Sequence, residues 1–143
     1  MNMIDLATLD VPRPDITDRD LAGFWEGTAA GELRVPRSTL TGDYIWPPRP
    51  SAVGVADYDL EWVRVPSTGE LFTWTVVHQT GLQGYSAITP YGVAVVQLDE
   101  VPVRMAGFAD FDPADLEAGM RLTAGFADIG DGIHLLVWRK VDG

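Results

Sequence analysis

From Leu60 onward, short segments rich in threonine, valine and aromatic residues follow one another, each bounded by turn-forming residues. They are Leu60 to Val65, Leu71 to His78, Tyr91 to Leu98, Val103 to Phe108, Met120 to Phe126 and Ile133 to Arg139. β-branched and aromatic side chains suit a half-buried pleated surface, and closely spaced segments of this kind specify a mainly β fold. Ser67-Thr68-Gly69, Asp99-Glu100-Val101-Pro102 and Gly130-Asp131-Gly132 supply turn chemistry between them. The first two segments read as one long bent strand, which leaves about five main strands in a compact barrel with closed or nearly closed edges. Asp112 to Gly119 predicts one helical turn, with Pro113 at its first position and Gly119 beyond its end.

The first half lacks this pattern. Residues 1–16 read as an arm, because Pro12 and Pro14 oppose helix. Thr17 predicts a helix cap, with Asp20 completing a capping box, and Leu21, Phe24, Trp25 and Thr28 recur at helical spacing. The expected helix covers 18–30 and stops at Gly31. Residues 32–58 mix proline, glycine and aromatics without a long period, and Pro47, Pro48 and Pro50 stiffen an extended stretch. The expected organisation is an arm and helix over 1–31, an irregular segment over 32–58 and a barrel over 59–143.

Composition narrows the chemistry. At 143 residues the chain can bury a real core without a metal or a disulfide. It has no cysteine, which excludes disulfides, thiolate-bound zinc, cysteine-held iron–sulfur clusters and a cysteine nucleophile. Asp and Glu number 21 against 10 Lys and Arg, a formal net charge of -11. That sign opposes unaided binding to nucleic acid or an anionic membrane. No apolar run approaches the ~18 residues of a spanning helix. The N-terminal stretch lacks the basic and apolar parts of a secretory signal. The expectation is a cytoplasmic protein with neither nucleic acid nor membrane as partner.

Short motifs then recur in a fixed order. Phe24-Trp25-Glu26-Gly27 and Gly31-Glu32-Leu33 come first, followed by Trp46-Pro47-Pro48-Arg49-Pro50. Thr75-Val76-Val77-His78, Pro90-Tyr91-Gly92-Val93-Ala94 and Leu98-Asp99-Glu100 come next, then Gly119-Met120, Phe126 and Asp131-Gly132. Over about residues 20–139 this order and spacing resembles the bacterial and archaeal DUF35 family, acyl-CoA-associated proteins with an OB-fold. The resemblance implies a five-stranded OB-fold barrel over 59–143, an N-terminal helix, and a ribbon-like segment over 32–58.

In that family the ribbon usually holds zinc through two Cys-x-x-Cys pairs. Here the first pair falls at Ser38 and Thr41 and the second at about Ala52 and Val55, so no thiolate is present. The only histidines, His78 and His134, lie elsewhere, whereas a tetrahedral zinc site needs about four ligands. The expectation is a metal-free remnant, braced by packing of Tyr44, Ile45 and Trp46 or by a partner surface.

No residue set forms a self-contained catalytic constellation. His78 ends a strand before the glycine-containing loop 79–90, where a base, a contact residue or a structural hydrogen bond are all open readings. Asp99-Glu100 and the carboxylates Asp110, Asp112, Asp115 and Glu117 read as turn, helix-start and surface groups. Tyr44, Trp46 and Tyr85 stand in irregular segments and, with Tyr91, are candidates for a ligand or partner contact. Arg37 and Arg49 are the candidate cations for a CoA phosphate or a partner carboxylate. The resemblance implies a non-catalytic accessory subunit of acyl-CoA lipid metabolism. Its partner would be a thiolase-like enzyme (thiolase, aldolase or C-acyltransferase) or, second, a hotdog-fold enoyl-CoA hydratase. It implies no tightly bound cofactor, the acyl-CoA being shared with the partner. The alternatives are an independent small hydratase or hydrolase using His78, and a solitary acyl-CoA-binding barrel.

Overall fold

In a computed structural model, which describes residues 6–49 and 59–141, a barrel closes from five strands. The strands in chain order are β1 (Leu33–Ser38), β2 (Leu60–Val65), β3 (Thr68–Val77), β4 (Tyr91–Leu98), β5 (Arg104–Ala109), β6 (Arg121–Asp128) and β7 (His134–Lys140). The barrel runs β3-β4-β5-β7-β6 and returns to β3. Its pairings are antiparallel except β5 with β7, where Phe108 and Ala109 face Val137 and Trp138 in parallel. The mainly β class, the five-stranded barrel and the helix outside it agree with the sequence expectation.

Period-two alternation builds the wall. In β4, Ala94, Val96 and Leu98 are buried, while Val93, Val95 and Gln97 face outward and are half-buried. In β5, Met105 and Ala109 point in, and Arg104, Ala106 and Phe108 point out. Trp138 from β7 is fully buried, and Gly107 of β5 leaves room for it: a Cβ there would stand 2.9 Å from the Trp138 ring.

The helix α1 (Ala22–Ala29) starts later than the expected residue 18. Thr17 does not cap it. The Thr17 amide and hydroxyl both donate to Asp15 Oδ1, and the Asp20 amide donates to Asp18 Oδ1. These local turns engage the polar side chains before the helix begins. The stop at Gly31 is as expected. Gly31 has φ +77°, its amide donates to Thr28, and the Glu32 amide reaches back to Gly27 at 2.9 Å.

Two further expectations are corrected. Thr68 and Gly69 are not a turn but the start of β3, and the break falls at Pro66-Ser67. Glycine at 69 permits close approach to β4, since a Cβ there would lie 2.1 Å from the Gln97 carbonyl oxygen. Leu60–Val65 is not the front of a bent barrel strand. It pairs with β1 as a separate two-stranded sheet, from Leu33↔Val65 to Ser38↔Leu60.

The segment after Phe111 forms the expected short turn, a 3-10 turn at Pro113–Asp115 capped by Asp112, whose carboxylate accepts the Ala114 amide at 2.9 Å. The arm is packed down: Leu6 and Val11 are buried in a second apolar cluster with Ile129, Ile133 and Val137.

Candidate functional site

OB-folds bind ligands chiefly on the outer face of their second and third strands, here β4 and β5. In this chain the Phe108 end of that face is covered by α1, and Trp46 borders the rest, where Arg104 and Ala106 stay exposed. Phe24 and Trp25 of α1 meet edge-on at 5.0 Å, and Trp46 lies 5.4 Å from Phe24. An OB barrel that stacks nucleic-acid bases needs this face open and cationic.

Two cavities lie along this face. The first, about 520 Å³, is lined by Trp46, Pro47, Val95, Gln97, Arg104 and Ala106 among others. The second, about 230 Å³, lies between α1 and the barrel and is lined by Phe24, Trp25, Tyr85, Ala106, Phe108 and Leu136 among others. Ala106 belongs to both.

Arg104 and Gln97 shape the first cavity. They face each other across the β4–β5 ladder. The Gln97 amide donates to the carbonyls of Val101 (3.1 Å) and Val103 (3.3 Å), which fixes the direction of its oxygen. That oxygen accepts Arg104 Nε at 3.1 Å. The guanidinium carbon then sits 3.7 Å from the Phe72 ring centre. A bulge between Leu71 and Thr73 accompanies this placement of Phe72, which is 50% exposed. Among the described residues Arg104 has no carboxylate partner.

The second cavity continues into an aromatic row. Tyr85 lies 5.7 Å from Tyr91, and Tyr91 lies 5.6 Å from Phe108. Burial, with a smaller contribution from Tyr91, pushes the Tyr85 phenol above its ordinary value of 10.0.

The sequence candidates fall as follows. Arg37 is exposed, donates to the Gly42 carbonyl at 3.2 Å and sits 5.7 Å from the half-buried Tyr44 ring. It is thus engaged within its own turn. Trp46 lines the first cavity, and Arg49 is exposed. His78 is exposed one residue beyond β3, after Val77, which faces Tyr91. Tyr85 and Tyr91 come together, but Tyr91 is buried. Gln97, Arg104 and Phe72 were missed as site residues. The signal for Gln97 and Arg104 was available, since a polar residue in each strand flanks the Asp99–Pro102 turn at facing positions.

Asp99, Asp110, Asp112 and Asp115 take structural roles. Asp99 binds Arg121, Asp110 binds Arg139 Nε at 3.0 Å, and Asp115 binds Lys140 at 2.7 Å. Nor do the ribbon positions suit zinc. Ser38 is buried, and its Oγ accepts the amides of Leu40 (3.2 Å) and Thr41 (3.0 Å), so the hydroxyl faces its own turn. Ala52 and Val55 lie outside the described residues. Among the described residues, no three His, Asp or Glu side chains gather to hold a metal. Ile45 is buried, and Tyr44 and Trp46 pack against the barrel cluster. No helix among the described residues is long and apolar enough to cross a membrane.

Comparison with known proteins agrees with this geometry. Residues 62–127 match the family described as ChsH2, C-terminal OB-fold domain. The chain is 33% identical over 116 residues to the 3-oxo-4,17-pregnadiene-20-carboxyl-CoA hydratase alpha subunit of Mycobacterium tuberculosis, covering 80% of this chain and 36% of that protein. It is 31% identical over 81 residues to a DUF35 domain-containing scaffold protein of Pyrococcus furiosus, covering 57% and 59%. The chain thus spans less than two thirds of these relatives. A solved structure described as an Ltp2-ChsH2(DUF35) aldolase superposes with a TM-score of 0.78 at 26% identity, covering 90% of this chain and 98% of the other.

Proposed function

The chain belongs to the DUF35 family of OB-fold proteins, and from that premise we propose that it is a non-catalytic accessory subunit of an acyl-CoA enzyme. One observation carries this reading. Asp99, Asp110 and Asp115 are engaged in structural ion pairs and Asp112 in a turn cap, and the exposed His78 has no acid or nucleophile hydrogen-bonded to it among the described residues. The partner would then supply the reacting groups, while this chain braces it and walls part of the acyl-CoA channel. A thiolase-like enzyme is the first partner, in keeping with the likeness to the solved structure described as an Ltp2-ChsH2(DUF35) aldolase. The match to a hydratase alpha subunit favours an enoyl-CoA hydratase as a second reading.

The contact surface proposed is the segment from Arg37 to Val55, with Tyr44, Trp46 and Arg49, joined to the loop from His78 to Tyr91, with Tyr85. Aromatic and arginine side chains are common binding anchors. The test is affinity for the cognate enzyme, measured by calorimetry. Combined replacement of Trp46, Arg49 and Tyr85 by alanine should weaken binding at least tenfold, about 1.4 kcal/mol, with circular dichroism unchanged. Unaltered affinity places the interface elsewhere. No complex with either enzyme class sinks the accessory reading and favours the solitary barrel.

A further inference from the structure

We propose that the two cavities on the outer face of β4 and β5 form one binding track for an amphiphile with a single anionic head, held at Arg104, and an apolar tail, held between α1 and Phe108. Arg104, Ala106 and Phe108 are successive outward positions of one strand. At ~3.3 Å per residue, Arg104 and Phe108 stand ~13 Å apart along β5, a span that a medium-length acyl chain reaches. Only the methyl group of Ala106 lies between them on this strand face, and it lines both cavities.

The two ends differ in chemistry. At the first, Gln97 and the Phe72 ring aim a guanidinium that has no carboxylate partner among the described residues, in a chain whose net charge is -11. An arginine left unpaired amid such an excess of acid is complementary to an anion. A single guanidinium suits one anionic group, because the net charge repels a polyanion. At the other end Leu6, Phe24, Phe108, Leu135 and Leu136 give apolar walls. A carboxylate and a phosphate head share this chemistry. The inference rests on the accessory reading only in taking an acyl group as the natural tail.

The test uses the full chain with decanoate, decyl phosphate and decanol as probes. Tryptophan fluorescence reports on Trp46 and Trp25, which line the two cavities, and amide NMR maps the site. The acid or the phosphate should bind at least tenfold more tightly than the alcohol, and the stronger of the two identifies the head. Arg104→Gln should weaken the anionic probe at least tenfold and leave decanol within twofold. Ala106→Leu, an exposed position, should weaken both anionic probe and alcohol at least tenfold with the thermal midpoint unchanged. Equal binding of the anionic probe by Arg104→Gln, shifts confined to another face, or no binding by the unmodified chain overturns the track. Partner binding is scored separately. A chain that joins its enzyme but binds neither anion keeps the accessory role and loses the track, and the converse result does the reverse.

Discussion

Arg121 at the start of β6 grips both carboxylate oxygens of Asp99, the residue that follows β4. The Thr68 hydroxyl of β3 joins them, donating to Asp99 Oδ2 at 2.6 Å. Three strands are tied at one point, beside the seam where β3 and β6 pair over only Thr68 to Glu70. The Arg121 bond first, and the Thr68 bond second, lower the Asp99 pKa from 3.8 to about 2. A carboxylate with a depressed folded-state pKa stabilises the fold fully above its unfolded value and loses that contribution as pH falls toward the folded one. Asp99→Asn should therefore be less stable than the unmodified chain at pH 7, with the gap closing between pH ~4 and ~2. Urea denaturation across that range checks it; a gap independent of pH would contradict the clamp.

Ser38 does by hydrogen bonding what a metal does in a zinc ribbon, holding the turn through the Leu40 and Thr41 amides. Ser38→Ala should cost about 1–3 kcal/mol, because two turn amides lose an acceptor. Exchange of those two amides should quicken more than that of the barrel amides. Elemental analysis of untagged protein should find no stoichiometric zinc or iron, and one metal per chain would contradict this account of the turn.

Gly107 and Trp138 are fitted to each other. Gly107→Ala should destabilise by about 1–3 kcal/mol through overpacking. Paired with Trp138→Phe, it should cost less than the sum of the two single changes, because the smaller ring yields space. Additive costs in a denaturation cycle would show that the two positions do not press on one another.

The barrel was legible because its strands carry their own period. The β4 boundaries, Tyr91 and Leu98, are those the sequence predicts, and the alternation that marks them also sorts wall from core. The late start of α1 was not legible, since Asp15 and Asp18 compete locally for the amides that a cap at Thr17 would direct. The arm gave no period from which to foresee that Leu6 and Val11 would be buried. The Arg104 site was hidden for a different reason. The facing of Gln97 and Arg104 follows from the single hairpin that joins them, but the bulge that brings Phe72 to the guanidinium is a long-range property. Arg37, a candidate cation in the sequence, lies outside both cavities, beside the Gly42 carbonyl and the Tyr44 ring.

Whether this chain acts through a partner rather than alone is decided by acyl-CoA turnover measured for the purified chain, for its cognate enzyme, and for the two mixed. An accessory subunit should show no steady turnover by itself, should alter turnover by the enzyme it joins, and should leave the mixture dependent on the enzyme's own nucleophile. Steady turnover by the chain alone, abolished by His78→Ala with the fold intact, would contradict the accessory role and make the protein an independent enzyme.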